Sequence, residues 1–425
     1  MMKSLSALAQ NYIDRFETAL ETLPGQSSRS ITDLRKAGLE KFSKQDFPNK
    51  RIEEWRYTNL AALTKDVANE DNSGSPALAP SAFDATFEIV FIDGVFSEDH
   101  SQLKNLPDGL SISSLASELG NGAVFSLSDE EDRSLIALNT AFMQDGFCLH
   151  VSENTQIDGI LAITFKSTGA AQHGLHMRNR VTLDEGANLT LLERHEGSGS
   201  YFSNPVTNIS IGKNARLNHY KFQNESTTAF HISLTDVEIL QGGIYKNFSF
   251  SVGAKISRNE LKTTILGSDA ESHLDGAYLM RGEQHCDTTT LTEHKVPKNI
   301  SNQTYKGVLD DRAHGVFQGK IHIARNAQQV AGDQLSKALL LSDYAAVDCK
   351  PELEIFADDV KCSHGATSGE LDEDALFYIQ ARGIPEESAR KMLIEAFLGD
   401  VLTSIDNDLV REYFNTQSAL WLQTS

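Results

Sequence analysis

A short turn pattern recurs along the middle of the chain. Seven segments each combine an apolar residue, three residues typical of turns, and a small or apolar residue: 183–187, 211–215, 240–244, 266–270, 309–313, 341–345 and 356–360. Successive segments begin 28, 29, 26, 43, 32 and 15 residues apart. These distances are close to multiples of a unit of about 14 to 15 residues. A fixed period of this kind is typical of a solenoid, in which each rung stacks its strands on the next.

The same region predicts strands rather than helices. Between residues 146 and 370, short apolar or alternating runs are separated by small turns, and only Pro205 and Pro297 lie between residues 160 and 340. No helical pattern of ten or more residues separates these runs, which disfavours β–α–β crossovers. We therefore expect a mainly β protein with a parallel β-helix core at residues 146–370. A β-sandwich with turns of similar length is the alternative.

Helical patterns flank this core. Residues 1–70 carry apolar residues at three- and four-residue spacing, and residues 71–145 are predicted to hold a linker and a small α/β segment, with Gly, Ser, Asn and Pro concentrated at 68–83. Residues 371–425 return to the helical period, with apolar side chains at every fourth position: Ala389, Leu393, Phe397, Val401 and Ile405. These C-terminal helices either cover the end of the solenoid, whose strand edges would otherwise be unpaired, or dock a partner. Both alternatives stay open.

Composition limits the classes of partner. The 425 residues include 38 Lys and Arg against 59 Asp and Glu, a formal charge of −21. This balance disfavours binding to nucleic acid or to an anionic membrane surface, since both need a basic stripe. No apolar run reaches the ~20 residues of a membrane-spanning helix. Four scattered cysteines are too few for a disulfide framework, so we expect a cytoplasmic protein with reduced thiols.

Common enzyme signatures are missing from the sequence. It contains no G-x-x-x-x-G-K-[ST], H-E-x-x-H, C-x-x-C or G-x-S-x-G motif. Without a glycine-rich loop to cradle phosphates, the chain is not expected to bind ATP itself, and we expect it not to be an enzyme.

One segment carries residues suited to metal binding. Cys362 and His364 are two positions apart, so in a strand they point to the same face. Thiolate and imidazole ligands suit iron or zinc, and the nearby Asp358 and Asp359 offer oxygen ligands or hydrogen bonds to the ligands. Because a cluster usually needs four ligands, this pair would need a partner chain or would hold metal only transiently. The competing interpretation is a buried thiol beside a surface histidine.

The other cysteines and histidines carry weaker signals. Cys148 and Cys349 have apolar neighbours and are expected to be buried small side chains. His285, Cys286 and His294 border a predicted loop that ends at Pro297. Neutral, hydrogen-bonded histidines are the interpretation favoured there.

The segment around Cys362 resembles a known family. Four stretches carry the resemblance: EEWRYTNL at 53–60, HCDTTTLTEHK at 285–295, NQTYKGVLDDRAHGVFQGKI at 302–321, and ALLLSDYAAVDCKPELEIFADDVKCSHGATSGELDEDALFYIQARGI at 338–384. They are similar to segments of the SufB/SufD family of iron–sulfur cluster assembly proteins, and most similar to its SufD members. The resemblance covers the helical N-terminus, the solenoid and the helical C-terminus. It implies a right-handed parallel β-helix.

The resemblance also implies partners and cargo. It implies a heterodimer with a SufB-like paralogue and a SufC-like ABC-type ATPase, two copies of which dock on the C-terminal helical regions of the pair. A nascent cluster forms near the subunit interface in this family, and the positions matching Cys362 and His364 are linked to it. Transient iron or a nascent iron–sulfur cluster, shared with the partner, is therefore the expected cargo. Related complexes are associated with reduced flavin, for which no residue is assigned.

Two departures from the SufB pattern support the SufD assignment. Where SufB carries its sulfur-accepting cysteine, this chain has Ser336, and where SufB has a glutamate after the histidine, this chain has Gly365. Primary acceptance of sulfur is therefore not expected here.

Three functional hypotheses follow. The first is a non-catalytic SufD-like scaffold subunit that lends His364 and Cys362 to iron or cluster binding. The second is a carbohydrate-active β-helix enzyme, which would need suitably placed carboxylates, whereas the pairs Asp310–Asp311 and Asp358–Asp359 are adjacent in sequence and split across faces. The third is a structural homodimer with vestigial metal residues.

Overall fold

The computed structural model describes residues 5–63, 83–120, 133–169 and 174–423, so residues 68–82 of the predicted linker lie outside the described residues. The described helices are α1 (Ala7–Leu20), α2 (Arg29–Gln45), α3 (Leu115–Gly120), α4 (Ser134–Phe142), α5 (Glu373–Gln380), α6 (Glu386–Leu402) and α7 (Asp408–Gln423). The described strands are β1 (Phe87–Ile92), β2 (Val95–Phe96), β3 (Leu110–Ser114), β4 (Phe147–Val151), β5 (Leu161–Ser167), β6 (Arg178–Leu183), β7 (Asn188–Gly197), β8 (Phe202–Ser203), β9 (Val206–Ile211), β10 (Arg216–Asn224), β11 (Phe230–Ile239), β12 (Ile244–Ser251), β13 (Ile256–Ile265), β14 (Glu271–Met280), β15 (His285–His294), β16 (Ile300–Leu309), β17 (His314–Ile323), β18 (Val330–Leu340), β19 (Ala346–Ile355) and β20 (Val360–Gly369).

The strands form two sheets that alternate along the chain. The first sheet has the order β2-β1-β5-β7-β10-β12-β14-β16-β18-β20, and the second has the order β19-β17-β15-β13-β11-β9-β6-β4-β3, with β8 beside β11. Residues in register within the second sheet, such as Ile256, His285 and His314, are 29 positions apart. One rung therefore contains two strands, and the 14- to 15-residue unit of the sequence is half a rung. The prediction of a parallel β-helix core flanked by helices is confirmed, with about eight turns.

The sheets begin before the predicted core. Strand β1 pairs in parallel with β5, and β3 pairs antiparallel with β4. Both strands fall within residues 71–145, which the sequence assigns to a linker and a small α/β segment. The structure thus continues both sheets across the predicted boundary at residue 146.

Alternate side chains of each strand point into the lumen of the solenoid. The largest core cluster fills it with stacked apolar residues from both sheets, among them Leu189, Leu217, Tyr245, Leu274 and Tyr305 from the first sheet. Because strands stack in register, one lumen position recurs in each rung as a column of side chains. This register sets which residues meet at the end of the solenoid.

The N-terminal helices pack on the outside of the second sheet. Tyr12, Phe42 and Phe142 share a buried cluster with Phe202 and Phe230 of that sheet. Aromatic edge-to-face contacts join the helices within this cluster, for example between Tyr12 and Phe142 at 5.1 Å between ring centroids. These helices therefore cover one side wall of the solenoid.

The C-terminal helices cover the opposite wall. Leu398 and Phe414 pack with Phe222 and Phe250 on the outer face of the first sheet. Buried Lys306 donates a hydrogen bond to the Phe397 carbonyl oxygen at 2.6 Å and so fixes α6 on the sheet. The alternative in which these helices cover the end of the solenoid is not what the described residues show, because most residues of the terminal strand β20 are exposed while the helices pack on the side wall. Within the described ranges, no helix is long and apolar enough to cross a bilayer.

Candidate metal centre at the C-terminal end of the solenoid

The last strand of the first sheet carries both predicted metal ligands. In β20, Cys362 is in register with Gly332 and His364 with Gln334 of β18. A Cβ atom placed on Gly332 would lie 3.5 Å from Cys362 Sγ and 3.3 Å from Ile321 of the opposite sheet. Cys362 and His364 therefore share the lumen side of the strand, as their spacing predicts.

The two side chains differ in exposure. Cys362 is half-buried and packs against the apolar cluster that contains Ile321 and Val330, whereas His364 is exposed. Burial, with repulsion from Asp333, raises the pKa of the Cys362 thiol. At neutral pH the thiol therefore carries its proton, and binding of a metal ion would release it.

Cys349 also belongs to this end of the solenoid. It lies on β19, where its lumen-side position is in register with Phe317. Its Sγ is 3.6 Å from the hydroxyl of Ser336, and burial raises the pKa of the thiol. The expectation of a buried small side chain is thus met only in part, because Cys349 is half-buried on the terminal rung. The alternation of side chains along β19 would have predicted the lumen-side position of Cys349 if the register of the two sheets had been known.

The predicted acidic neighbours do not join the pair. Asp358 and Asp359 are exposed in the turn before β20, where both backbone N–H groups donate to the side-chain oxygen of Gln328. Among the described residues, no group of three or more His, Cys, Asp or Glu side chains could hold a metal ion. Cys362 and His364 are thus two candidate ligands without a third in this part of the chain, and this pair is called the half site below.

His285, Cys286 and His294 follow the structural interpretation, whereas Cys148, like Cys349, is only half-buried, so its predicted burial is met only in part. Burial lowers the pKa of His285 and His294 to about 4, and they hydrogen-bond to Thr58 and Ser301 respectively. Burial raises the pKa of Cys286 to about 12. Neutral, hydrogen-bonded histidines are thereby confirmed in this region.

The half site lies beside two unpaired strand edges. Strands β19 and β20 are each ten residues long, and each ends its sheet in the described structure. Large apolar side chains are exposed around this end, with Tyr344 at 69% and Phe356 at 56% of their accessible area. Long unpaired strand edges with exposed aromatic residues are typical of surfaces that pair with another chain.

Comparison with known proteins gives the family. Residues 165–397 match the SufBD core domain of the SUF system for iron–sulfur cluster assembly, and residues 6–163 match the N-terminal region of SufBD proteins. The core match alone covers more than half of the chain. The chain therefore belongs to the SufBD family of iron–sulfur cluster assembly proteins.

Individual relatives align along almost the whole length. The chain is 29% identical to an iron–sulfur cluster assembly SufBD family protein of Synechocystis, over 93% of each sequence. It is 29% identical to the chloroplastic protein ABCI7 of Arabidopsis thaliana, over 94% of this chain and 87% of that protein. It is 27% identical to the iron–sulfur cluster assembly protein SufD of Escherichia coli, over 88% of this chain and 89% of SufD.

Proposed function

We propose that the chain is a non-catalytic, SufD-like scaffold subunit that supports iron acquisition and de novo cluster assembly at an interface with a SufB-like subunit. The observation that carries this proposal is the half site of Cys362 and His364 on the last lumen-facing positions of an open solenoid end. Iron or a nascent cluster is the cargo, and the partner supplies the missing ligands. Reduced flavin is assigned no residue of this chain.

The open end is the proposed surface for the SufB-like subunit. An unpaired strand can add a strand of another chain through main-chain hydrogen bonds. On β19, Lys350, Pro351 and Glu352 limit unspecific pairing, since charged side chains and proline are the usual protection of an edge. A partner with complementary charges and a pocket for Phe356 would pair with this edge selectively.

The C-terminal helices are the proposed surface for a SufC-like ABC-type ATPase. While Leu398 and Val401 of α6 are buried against the first sheet, Phe377, Tyr378 and Met392 are exposed at 72%, 59% and 47%. Exposed aromatic and methionine side chains of this kind are enriched at protein interfaces. We further propose that the complex is cytoplasmic, because all four cysteines are free thiols.

The proposal is tested with the anaerobically purified complex. We expect co-expression with SufB-like and SufC-like chains to give one assembly by native mass spectrometry. In that assembly His364→Ala should lower iron content and the yield of cluster absorbance on reconstitution several-fold, because the site loses one of the two ligands that this chain supplies. His100→Ala is the matched control, since His100 is exposed at the other end of the solenoid.

Two outcomes would contradict the proposal. Parental iron content and cluster yield in His364→Ala would remove the half site from the mechanism. A stable homodimer that binds neither partner would instead favour a structural protein with vestigial metal residues.

A further inference from the structure

One column of lumen-facing residues ends at His364. In the first sheet, Gln303 of β16 is in register with Gln334 of β18, which is in register with His364 of β20. Neighbouring strands of a sheet are about 4.8 Å apart, so side chains of adjacent rungs can meet along the column. The two glutamines occupy equivalent positions, one and two rungs inside the open end.

The side-chain amide of Gln303 has hydrogen-bond partners on the opposite wall of the lumen. It is 1% exposed. Its Oε1 accepts a hydrogen bond from the Thr290 hydroxyl at 2.6 Å, and its Nε2 donates to the Thr292 hydroxyl at 3.2 Å. An internal amide with these partners costs little to bury.

Gln334 has no such partners. It is 2% exposed, and neither Oε1 nor Nε2 has a hydrogen-bond partner among the described residues. The opposite wall differs between the two rungs. At the positions where β15 has Thr290 and Thr292, β17 has Gly319 and Ile321, which carry no hydroxyl groups. A Cβ atom on Gly319 would lie 3.2 Å from Gln334 Nε2, so the amide rests on a position of that wall that offers neither a side chain nor a hydroxyl.

An unpaired buried amide costs free energy of about 1–3 kcal/mol, and a group of this kind calls for an explanation. The half site on the next strand, β20, supplies an explanation for the unpaired amide of Gln334. A histidine that binds metal through one ring nitrogen almost always donates its other N–H to a fixed acceptor, which sets the tautomer and the ring orientation. Of the two residues in register with Gln334, Gln303 is buried in the lumen and His364 is exposed.

We propose that Gln334 is a positioning residue for His364. Its side-chain oxygen accepts a hydrogen bond from the imidazole nitrogen that does not hold the cargo, and so presents the other nitrogen at the mouth of the lumen. This inference rests on the proposed function, since it takes His364 as a ligand.

The test compares three substitutions in the purified complex, with Co²⁺ alone as the probe. Gln334→Met keeps the length of the side chain and removes its hydrogen bonds, Gln334→Glu keeps an acceptor, and Gln303→Met is the control one rung deeper. We expect Gln334→Met to weaken Co²⁺ binding about 10- to 100-fold and to alter the d–d absorption spectrum of the bound ion. Gln334→Glu should restore both, and Gln303→Met should change neither.

Thermal unfolding of the same variants separates positioning from packing. Gln334→Met should unfold at the parental temperature or above, because it removes an unpaired amide. Gln303→Met should unfold at a lower temperature, because it removes two buried hydrogen bonds and leaves the Thr290 hydroxyl without its acceptor. Parental Co²⁺ binding in Gln334→Met, together with a loss in His364→Ala, would overturn the inference and leave the proposed function standing. Equal weakening in Gln303→Met would also overturn it. Parental binding in His364→Ala would overturn the proposed function itself.

Discussion

At the N-terminal end of the solenoid the sheets finish on short antiparallel strands, whereas at the C-terminal end they finish on two ten-residue parallel strands. The two-residue strand β2 closes the first sheet, and the five-residue strand β3 closes the second. Helix α3 follows β3 directly. No described element covers β19 or β20 in this way.

The two ends therefore differ in whether another strand can add to them. A short antiparallel edge gives another strand little to pair with, so stacking stops there. A long parallel edge is a template for one more rung. Since Cys362 and His364 stand at the lumen side of that template, the proposed metal ligands and the proposed assembly surface lie at the same end.

The largest expected effect compares one truncation at the two ends. Phe147 on β4 is fully buried in the lumen, while Leu353 on β19 is only partly buried. Phe147→Ala should lower the free energy of unfolding by about 3–5 kcal/mol, since it leaves a cavity, and Leu353→Ala in the isolated chain by about 1 kcal/mol. Urea denaturation measures both. Equal losses would show that the C-terminal end is as tightly packed as the N-terminal end.

A smaller effect should appear in partner binding. Phe356 and Leu266 each follow the last residue of a strand in the second sheet, at 56% and 41% exposure, but only Phe356 lies on the terminal rung. Phe356→Ser should weaken binding to the SufB-like subunit at least 10-fold, about 1.4 kcal/mol, because exposed aromatic residues anchor interfaces. Leu266→Ser is the matched control and should bind as the parent does. Calorimetric titration compares them, and unchanged affinity in Phe356→Ser would move the interface elsewhere.

Much of the fold was predictable because one turn recurs. The turns at 211–215 and 240–244 begin 29 residues apart, which is the length of one full rung in the strand register, and a parallel solenoid is the simplest structure with that spacing. The contribution of β1 and β3 was not predictable, since they are short, and β3 pairs antiparallel. Local periodicity carries no information about which sheet such strands join.

Helix α6 shows a different limit. Its apolar residues at every fourth position predict a buried face, of which Ala389, Val401 and Ile405 are buried. Leu393 and Phe397 are only partly buried, and their neighbours Ile394 and Leu398 are buried in their place. The crossing of the helix over the first sheet decides which side faces inward, and this crossing depends on side chains from distant strands. The sequence therefore predicted the helix and both ends of its buried face, but not the middle of that face.

The candidate site divides in the same way. The shared face of Cys362 and His364 follows from their two-residue spacing and was predictable. The relation of His364 to Gln334 was not, since the two are 30 positions apart and meet only through strand register. Residues that act across rungs are found from the register of a solenoid, which a single sequence gives only approximately.

The smallest expected effect is a pH dependence of stability that comes from a histidine buried in the lumen. His294 faces the lumen, has no exposed surface, and lies 2.9 Å from the Ser301 hydroxyl through Nε2. Burial, with repulsion from His322, lowers the pKa of His294 to about 4. In the unfolded chain a histidine has a pKa of about 6.5, so between these values the unfolded state binds the extra proton. Stability is therefore full above pH 6.5 and is lost as the pH falls toward 4.

Between pH 7 and pH 6, His294 should account for ~0.7 kcal/mol of lost stability. His294→Gln should flatten the dependence of the unfolding free energy on pH by that amount, even if it lowers stability at every pH. His100→Gln serves as the control, because its ring is exposed near the N-terminal end and should leave the slope unchanged. If the unfolding free energy depended on pH equally in His294→Gln and in the parent, water would reach the lumen around His294. The solenoid would then be open along its length, and the contrast between its two ends would not hold.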